Sequence, residues 1–457
     1  MQTNRTIAFA AIVIAMLPAV LDQTILATAL PTIARDLGQL SDVSWVVAAY
    51  VVAAAAATPL WGKLGDRHGR KLLLELALAV FLVSSAVCGV AQSLAMLVAS
   101  RAVQGIAAGG LMSLAMAAVG DLVDPRERGR YQGYIVSTFA VATIGGPLVG
   151  GLLVDHASWR WVFYVNLPLG VAALAGLHLR LPAAETDGSR RHPLDLTGAG
   201  LLAGATTALL LACVWGGERY AWGSPAILAL LAGAAVLGGL LVVRERRVAD
   251  PIVPLDLLRA PTVAVAGAAM FLATATLFSI NVFVPLFLQV ATGATPTQAG
   301  LLLVPMMAGT TLSTNLAGRA IERTGRVKAF PIAGLGLMTA ALVLMAVVSQ
   351  SPSRVTTGIA LAVFGVGFGM VGQVLTVAVQ NTVDRRRLGM AMATTTFLRG
   401  LGGAIGAAAL GAIFAARTDA GASVVDAVQT VFLVAAPVAA IALLVVLALP
   451  EATPTTD

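Results

Sequence analysis

The sequence predicts an all-α polytopic membrane protein, and three observations carry the prediction. Only 11% of the 457 residues are charged and 58% are hydrophobic, against about 25% charged residues in an average soluble domain, which is too little charge to clothe a surface in water. The mean hydropathy is +0.89. Fourteen apolar runs follow one another along the chain, each of the ~17–25 residues that cross a bilayer as a helix. Lipid tolerates only spanning elements whose backbone polar groups are satisfied internally. Aromatics at 5% and the lack of alternating segments of about ten residues argue against a β-barrel. Cys88 and Cys213 both lie inside apolar runs, so neither a disulfide framework nor a metal site is implied.

In chain order the runs cover Thr6–Leu30, Val43–Trp61, Leu72–Ala91, Leu94–Gly120, Tyr131–Val154, Trp159–Leu179, Leu194–Val214, Ser224–Val243, Thr262–Leu288, Gln298–Ala317, Ala329–Val348, Val355–Val379, Gly389–Ala416 and Ala427–Leu449. The first has Arg5 ahead of it and an Ala27-Thr28-Ala29 triplet behind, the pattern of a cleavable signal peptide; thirteen further spans favour an uncleaved first helix. Orientation follows from Lys and Arg, which concentrate in short cytoplasmic loops. With the N-terminus inside, 22 of the 29 fall on the cytoplasmic side, 5 fall outside, and Arg101 and Arg399 lie within spans. Both termini are then cytoplasmic, and the net charge of +7 reflects topology rather than a nucleic-acid partner.

An internal repeat divides the chain. The segment after the second run reads Gly62-Lys-Leu-Gly-Asp66-Arg67-His-Gly69-Arg70-Lys71, and that after the tenth reads Gly318-Arg-Ala-Ile-Glu322-Arg323-Thr-Gly325-Arg326-Val-Lys328, with the matching positions 256 apart. Such self-similarity marks a duplicated transporter half. Residues 1–180 form an N-terminal six-helix bundle, 261–450 a C-terminal one, 181–260 an inserted pair of spans with flanking cytoplasmic loops, and 451–457 a short cytoplasmic tail. The positive-inside bias alone explains the basic residues of the repeated loop. It does not require the glycines and the acids, and the sharper reading is a gating latch formed by Gly62, Asp66, Arg67, Gly69, Arg70, Glu322 and Arg323.

Three charges sit at membrane depth. Asp22 is nine residues before Pro31 and Arg101 nine after Gln92, which places both about 13 Å below the outer surface at ~1.5 Å per residue. Ionisable groups at such depth are functional by default, with a partner to be named; the plainer alternative is a purely structural ion pair. Asp22 is the only carboxylate well inside any span, so if a proton is carried, Asp22 carries it. A partner that moves between states, such as Arg101, would then alter how readily the carboxyl holds its proton. Arg399 has no embedded acid in its own half, and either snorkels, meets a backbone carbonyl or binds an anionic group of a ligand. Gln23, Gln104, Asn281, Gln289 and Asn315, with Arg399, are the candidate lining of a substrate cavity; each has helix-to-helix hydrogen bonding as its alternative role.

Glycines punctuate the fifth and thirteenth runs as Gly145-Gly146-Pro147-Leu-Val-Gly150-Gly151 and Gly400-Leu-Gly402-Gly403-Ala-Ile-Gly406. No strand precedes the second, so it is not a dinucleotide fingerprint. Small residues let helices approach closely, and Pro147 removes a backbone donor and bends its helix, with Gly146 and Gly150 beside it.

These motifs together resemble the major facilitator superfamily, specifically its fourteen-span drug:proton antiporter branch. Leu21-Asp22-Gln23-Thr24-Ile25-Leu26-Ala27-Thr28-Ala29-Leu30-Pro31 is similar to the branch's first-span signature, Gly62 to Lys71 to the superfamily loop signature, Arg101-Ala-Val-Gln104-Gly105 to the fourth-span motif linked to proton coupling, Gly145 to Gly151 to the antiporter motif, and Trp159-Arg160-Trp161-Val-Phe163-Tyr-Val-Asn166-Leu-Pro168 to the start of the sixth span. Ala27-Thr28 stand where the family commonly has Asn and Val, and Ile144 where a Gly often opens the antiporter motif. The resemblance implies a major facilitator fold with 14 transmembrane helices arranged 6 + 2 + 6, alternating access, and coupling of proton uptake to export through Asp22 and Arg101. It implies a monomer, no cofactor and no metal, with small-molecule substrates, protons and the lipid bilayer as partners. With one embedded acid and two embedded arginines, neutral, zwitterionic or monocationic amphiphiles are favoured over dications. Three lysines against 26 arginines suggest a bacterial protein of a GC-rich genome, placed in the cytoplasmic (inner) membrane, where multidrug efflux would confer antibiotic resistance. A lipid or metabolite transporter, or a proton-coupled importer on the same fold, is the alternative. An enzyme is not expected, since no nucleotide loop, metal cluster or nucleophile triad lies outside the spans.

Overall fold

The computed structural model describes residues 2–37, 40–125, 127–181, 195–217, 219–248, 251–252, 255–294, 298, 301–324, 326–350, 353–384 and 387–449. Arg190, Arg191, Gly325 and the tail 451–457 lie outside the described residues, as does the side chain of Pro147. The described residues form sixteen helices in the order α1 (Gln2–Leu37), α2 (Leu40–His68), α3 (Arg70–Gly89), α4 (Leu94–Leu122), α5 (Arg128–His156), α6 (Trp161–Tyr164), α7 (Asn166–Arg180), α8 (Leu196–Trp215), α9 (Pro225–Glu245), α10 (Leu255–Arg259), α11 (Pro261–Thr292), α12 (Val304–Thr324), α13 (Ala329–Val348), α14 (Arg354–Thr382), α15 (Leu388–Asp419) and α16 (Val424–Leu447). Among the described residues thirteen spans are long and apolar enough to cross a membrane, with α6 and α7 together making one.

The tenth expected span departs from its apolar run. The run covers Gln298–Ala317, whereas helix α12 is the 21-residue stretch Val304–Thr324 and falls outside the thirteen because Thr310, Thr311, Ser313, Thr314, Asn315 and Arg319 dilute its hydropathy. Hydropathy reports what surrounds a helix, not where its backbone ladder stops. Pro305 stands in the first turn, where a missing N–H leaves nothing unpaired. The same distinction applies to the repeated basic segment: Gly62 to His68 are the last turns of α2 rather than a loop. The reversal is confined to Gly69, whose φ of 89° is open to glycine and strained for other residues. The sixth run is broken at Val165, between α6 and α7, because Pro168 has no N–H to offer the carbonyl of Tyr164.

Packing follows the repeat. In the first set of helices α2 lies on α4, α3 on α4, α1 on α5 and on α7; in the second, α12 lies on α14, α13 on α14, α11 on α15 and on α16. These crossings are close because glycine occupies them, as helices in lipid associate through backbone approach rather than a hydrophobic driving force. A Cβ on Gly109 would meet the Thr58 hydroxyl at 2.7 Å, and one on Gly309 the carbonyl of Ala362 at 2.7 Å. Along the α1–α5 seam Gly146 and Gly150 face Thr24 and Thr28, and along α11–α15 a Cβ on Gly402 would lie 2.6 Å from the Cα of Phe271. The glycines of the thirteenth run are therefore a packing seam.

Helices α8 and α9 stand to one side. α8 touches both α2 and α15, while α9 rests on α8. Asp195 holds the pair together: its carboxylate caps α8 by accepting from the Gly198 N–H at 3.0 Å and accepts from Arg244 Nε of α9 at 3.0 and 3.2 Å. Burial pushes this carboxyl up, but Arg244 and the Gly198 N–H outweigh it and hold it below its ordinary range. A depressed folded value stabilises the pair above the unfolded value of about 3.9, and that contribution is lost as pH falls through the folded one. Hydrogen exchange at the start of α8 should therefore accelerate only on acidification below about pH 4, and Asp195→Asn should abolish that acid step; an acid step of unchanged size in the variant would contradict the assignment.

Candidate functional site

The embedded charges meet inside the first helical set. Asp22 on α1 is fully buried and Arg101 on α4 is 1% exposed, and Arg101 Nη1 donates to Asp22 Oδ2. Gln104 lies one turn along α4 from Arg101 and so shares its face. Its Nε2 donates to Asp22 Oδ1 at 3.2 Å and to Ser85 Oγ at 3.1 Å, while its Oε1 accepts from Arg101 Nη1 at 2.6 Å. Asn166, at the head of α7, donates from Nδ2 to Asp22 Oδ1 at 3.3 Å and to Ser85 Oγ at 3.0 Å. Ser85 in turn donates to the Phe163 carbonyl at 3.0 Å. Five helices thus converge on one carboxylate that three side-chain donors address.

Arg101 is also anchored independently of Asp22. Its Nε donates to the Val46 carbonyl at 3.1 Å, and its guanidinium carbon lies 4.2 Å from the centre of the Tyr50 ring and 5.9 Å from that of Phe163, within cation–π range. Cys88 and Ser100 close the network, with their Sγ and Oγ atoms 3.2 Å apart. Removing Arg101 alone would leave an unpaired buried charge, a loss of about 3–5 kcal/mol. The Oδ1 of Asn166 is buried with no hydrogen-bond partner among the described residues.

A second cluster joins the two sets at the Arg-rich end. The first turn of α15 has no side-chain cap of its own at Arg387; Asp66 of α2 supplies one across the interface, accepting from the Gly389 and Met390 N–H groups at 2.8 Å each. A carboxylate at a helix N-terminus meets both free donors and the positive end of the helix dipole. Arg70 Nη2 donates to the same Asp66 at 3.0 Å, and its Nη1 donates to Asp121 and to the Ala117 carbonyl of α4. Gly62 permits this approach, since a Cβ there would lie 2.6 Å from the Gly389 carbonyl oxygen. Arg128 of α5 reaches α14, donating to the Gln380 carbonyl and to Asn381 Oδ1 at 2.7 Å, and Gln380 Nε2 donates to the Met116 carbonyl at 2.9 Å. Where α5 meets α12, Gly129 faces Gly318. Arg67 and Glu322 are half-buried and Arg323 is exposed; Glu322 lies near Arg130 of α5.

The expected cavity residues are dispersed. Gln104 belongs to the buried network rather than to a cavity wall. Gln23, Asn281 and Gln289 are exposed and lie apart. Asn315 binds α12 to α5, donating to Ser137 Oγ at 3.1 Å and to the Gly133 carbonyl at 3.4 Å. Arg399 alone of the six lines a central cavity between the two sets, of about 20 Å³, with Met112, Met116, Phe139, Met270 and Met392. Arg128, Gln380 and Asn381 had no sequence signal, because their partners lie across the set boundary; Asp121 had none because its partner Arg70 sits on another helix of the same set; Asn166 stood in the sixth-span motif.

Two packed helical sets related by an internal repeat, with polar clusters buried inside an apolar shell, define a multi-pass membrane protein. The family model described as Major Facilitator Superfamily matches residues 12–407 and 266–457, and the chain belongs to that superfamily. It is 39% identical over 411 residues to an uncharacterized MFS-type transporter of Mycobacterium tuberculosis, covering 90% of this chain and 60% of that one; the chain thus spans about three-fifths of that relative's length. It is 32% identical over 417 residues to the multidrug transporter protein MdtP of Bacillus subtilis, covering 91% and 76%. The solved proton:xylose symporter XylE superposes with a TM-score of 0.72 at 14% identity over 98% of this chain and 97% of that one, a likeness of fold alone.

Neutralising the trans-cap should loosen the Arg-rich end. Asp66→Asn loses the charge at the α15 N-terminus, worth about 1 kcal/mol or roughly a fivefold shift in population. Spin labels at the exposed positions His68 and Arg326 should report a larger long-distance fraction in folded Asp66→Asn protein, with transport impaired. An unchanged distance distribution would count against the latch.

Proposed function

We propose that the chain is a proton-coupled secondary antiporter that exports drugs or small amphiphilic compounds, neutral, zwitterionic or monocationic, by alternating access. It does so as fourteen spans arranged 6 + 2 + 6 in a bacterial cytoplasmic membrane, with both termini and the Arg-rich end on the cytoplasmic side. The observation that carries this reading is the buried carboxylate of Asp22, met by Arg101, Gln104 and Asn166 on two other helices. The multidrug name of the Bacillus subtilis relative supports a drug-like cargo.

The geometry suggests how a proton would act. Ionised, Asp22 ties α1 to α4 and α7. A proton on Oδ2 removes the attraction to Arg101 Nη1 and turns an acceptor into a donor; Asn166, whose Nδ2 already donates to Asp22, carries a buried Oδ1 with no partner among the described residues. Arg101 stays in place, because Val46 and Tyr50 hold it without Asp22. The freed element is then α1, and the Gly146 and Gly150 seam passes its movement to α5, which carries Arg128 and the contact with α12. In the present arrangement the hydrogen bonds of Asp66, Arg128, Gln380 and Asn315 between the sets all lie toward the Arg-rich end, which supports reading it as a state closed on the cytoplasmic side.

One observation favours the alternative of a lipid-like cargo on the same fold. Between α5 and α12 lies a cavity of about 480 Å³, walled by Val141, Met307, Leu312 and Leu316 with Arg319 at its basic end, which suits an acyl chain below an anionic headgroup. Transport in proteoliposomes with an imposed pH gradient decides the main reading. Across a panel of amphiphilic dyes, wild-type flux should follow the gradient, Asp22→Asn should fall to the level of protein-free vesicles, and dications should move poorly. Undiminished pH-driven flux in Asp22→Asn would refute the assignment, and gradient-independent movement of labelled phospholipid would favour the alternative.

A further inference from the structure

Arg399 is a cation without a counter-charge. It sits on α15 at membrane depth, and no hydrogen bond or ion pair to it occurs among the described residues. Buried charges are otherwise paired, because an isolated ion loses its hydration without recompense. The contrast with Arg101 is direct: that guanidinium has a carboxylate, an amide, a carbonyl and two aromatic rings, and Arg399 has a cavity.

The cavity says what would complete it. Met112 and Met116 come from α4, Phe139 from α5, Met270 from α11, Thr376 from α14 and Met392, Thr395 and Thr396 from α15, so its wall is drawn from both helical sets and is rich in methionine, with three threonines beside Arg399. Methionine is flexible and polarisable, and re-packs around ligands of varied shape. No carboxylate lines the cavity, and Asp22 is fully engaged elsewhere, so a cationic group finds no partner there. The volume of about 20 Å³ holds roughly one water molecule, so this is a contracted state that the methionines must vacate. The cavity floor is also part of the seal: the carbonyl of Met116 accepts from Gln380 across the set boundary, and its side chain lines the cavity. A group bound at Arg399 therefore touches the latch.

We propose that Arg399 is the anion-recognition residue of the central cavity, and that the preferred cargo carries a single carboxylate or comparable anionic group on an apolar body, as a zwitterion or a monoanion. This rests on the export reading above and shifts its substrate class: zwitterions stay, monocations drop out and monoanions enter. A guanidinium offers a carboxylate two parallel N–H donors, while the methionine wall accepts a range of apolar bodies. Lysine at the same position keeps the charge and loses the fork.

The test uses the full-length protein in nanodiscs at neutral pH, with dansyl-labelled dodecanoate and its uncharged methyl ester as paired fluorescent probes. Wild type should bind the carboxylate at least about tenfold more tightly than the ester. Arg399→Gln should abolish that preference while leaving ester affinity unchanged, which shows that the variant is folded; Arg399→Lys should retain part of it. Equal affinity for the two probes in wild type, no binding of the carboxylate, or an undiminished preference in Arg399→Gln would each overturn the proposal. The binding comparison involves no proton gradient, so a carboxylate preference lost in Arg399→Gln stands whatever Asp22→Asn does to pH-driven flux, and the two readings fail separately.

Discussion

A carboxylate enclosed by apolar helices has to be answered by donors from its surroundings, and most of the first helical set is arranged around that requirement. Asp22 has no water to turn to. Its charge is balanced by one guanidinium, and its remaining lone pairs are met by two amides, each brought from a different helix. The consequences extend outward: Ser85 exists in the network to satisfy the amides, and Phe163, Tyr50 and Val46 hold the guanidinium. Because the answer comes from several helices at once, the protonation state of one oxygen and the relative position of α1 are the same variable.

The second set is built on the same backbone plan without that charge. Its helices cross through Gly309, Gly334, Gly367 and Gly402 as the first set crosses through Gly105, Gly109, Gly146 and Gly150, so the fold is duplicated while the chemistry is not. One half buries a carboxylate among donors, and the other turns toward the interface a guanidinium without an ion-pair partner among the described residues. Between them the Arg-rich end is closed by one helix cap in trans, an arginine-to-carbonyl bond and an amide-to-carbonyl bond, interactions that hold well in one geometry and fail abruptly when the helices separate. A trans-cap such as Asp66 on α15 is suited to a two-state gate, since its two N–H partners are gained or lost together.

What the sequence revealed and what it hid have separate physical causes. Apolar runs report lipid contact, so the spans and the repeat were readable, and the equal depth of Asp22 and Arg101 followed from counting residues along two helices. Helix ends were not, because α2 and α12 continue past their apolar stretches to His68 and Thr324, where the backbone ladder is satisfied whatever the side chains face. Gln104 read as cavity lining because spacing along a helix cannot tell which neighbour its face meets. Arg128, Gln380 and Asn381 join positions about 250 residues apart, and no local pattern announces such a pairing. Arg70 and Asp121 meet from two helices 51 positions apart, which no local pattern announces either.

The central claim is that Asp22 is the group that takes up the transported proton. Infrared difference spectroscopy of the protein in nanodiscs, recorded on a step from alkaline to acidic pH, observes the protonated carboxyl C=O directly and needs no substrate. The account predicts a reversible carboxylic acid band from a buried group in wild type that is absent in Asp22→Asn, with the bands of surface acids unchanged. The same buried-acid band in both proteins would contradict it.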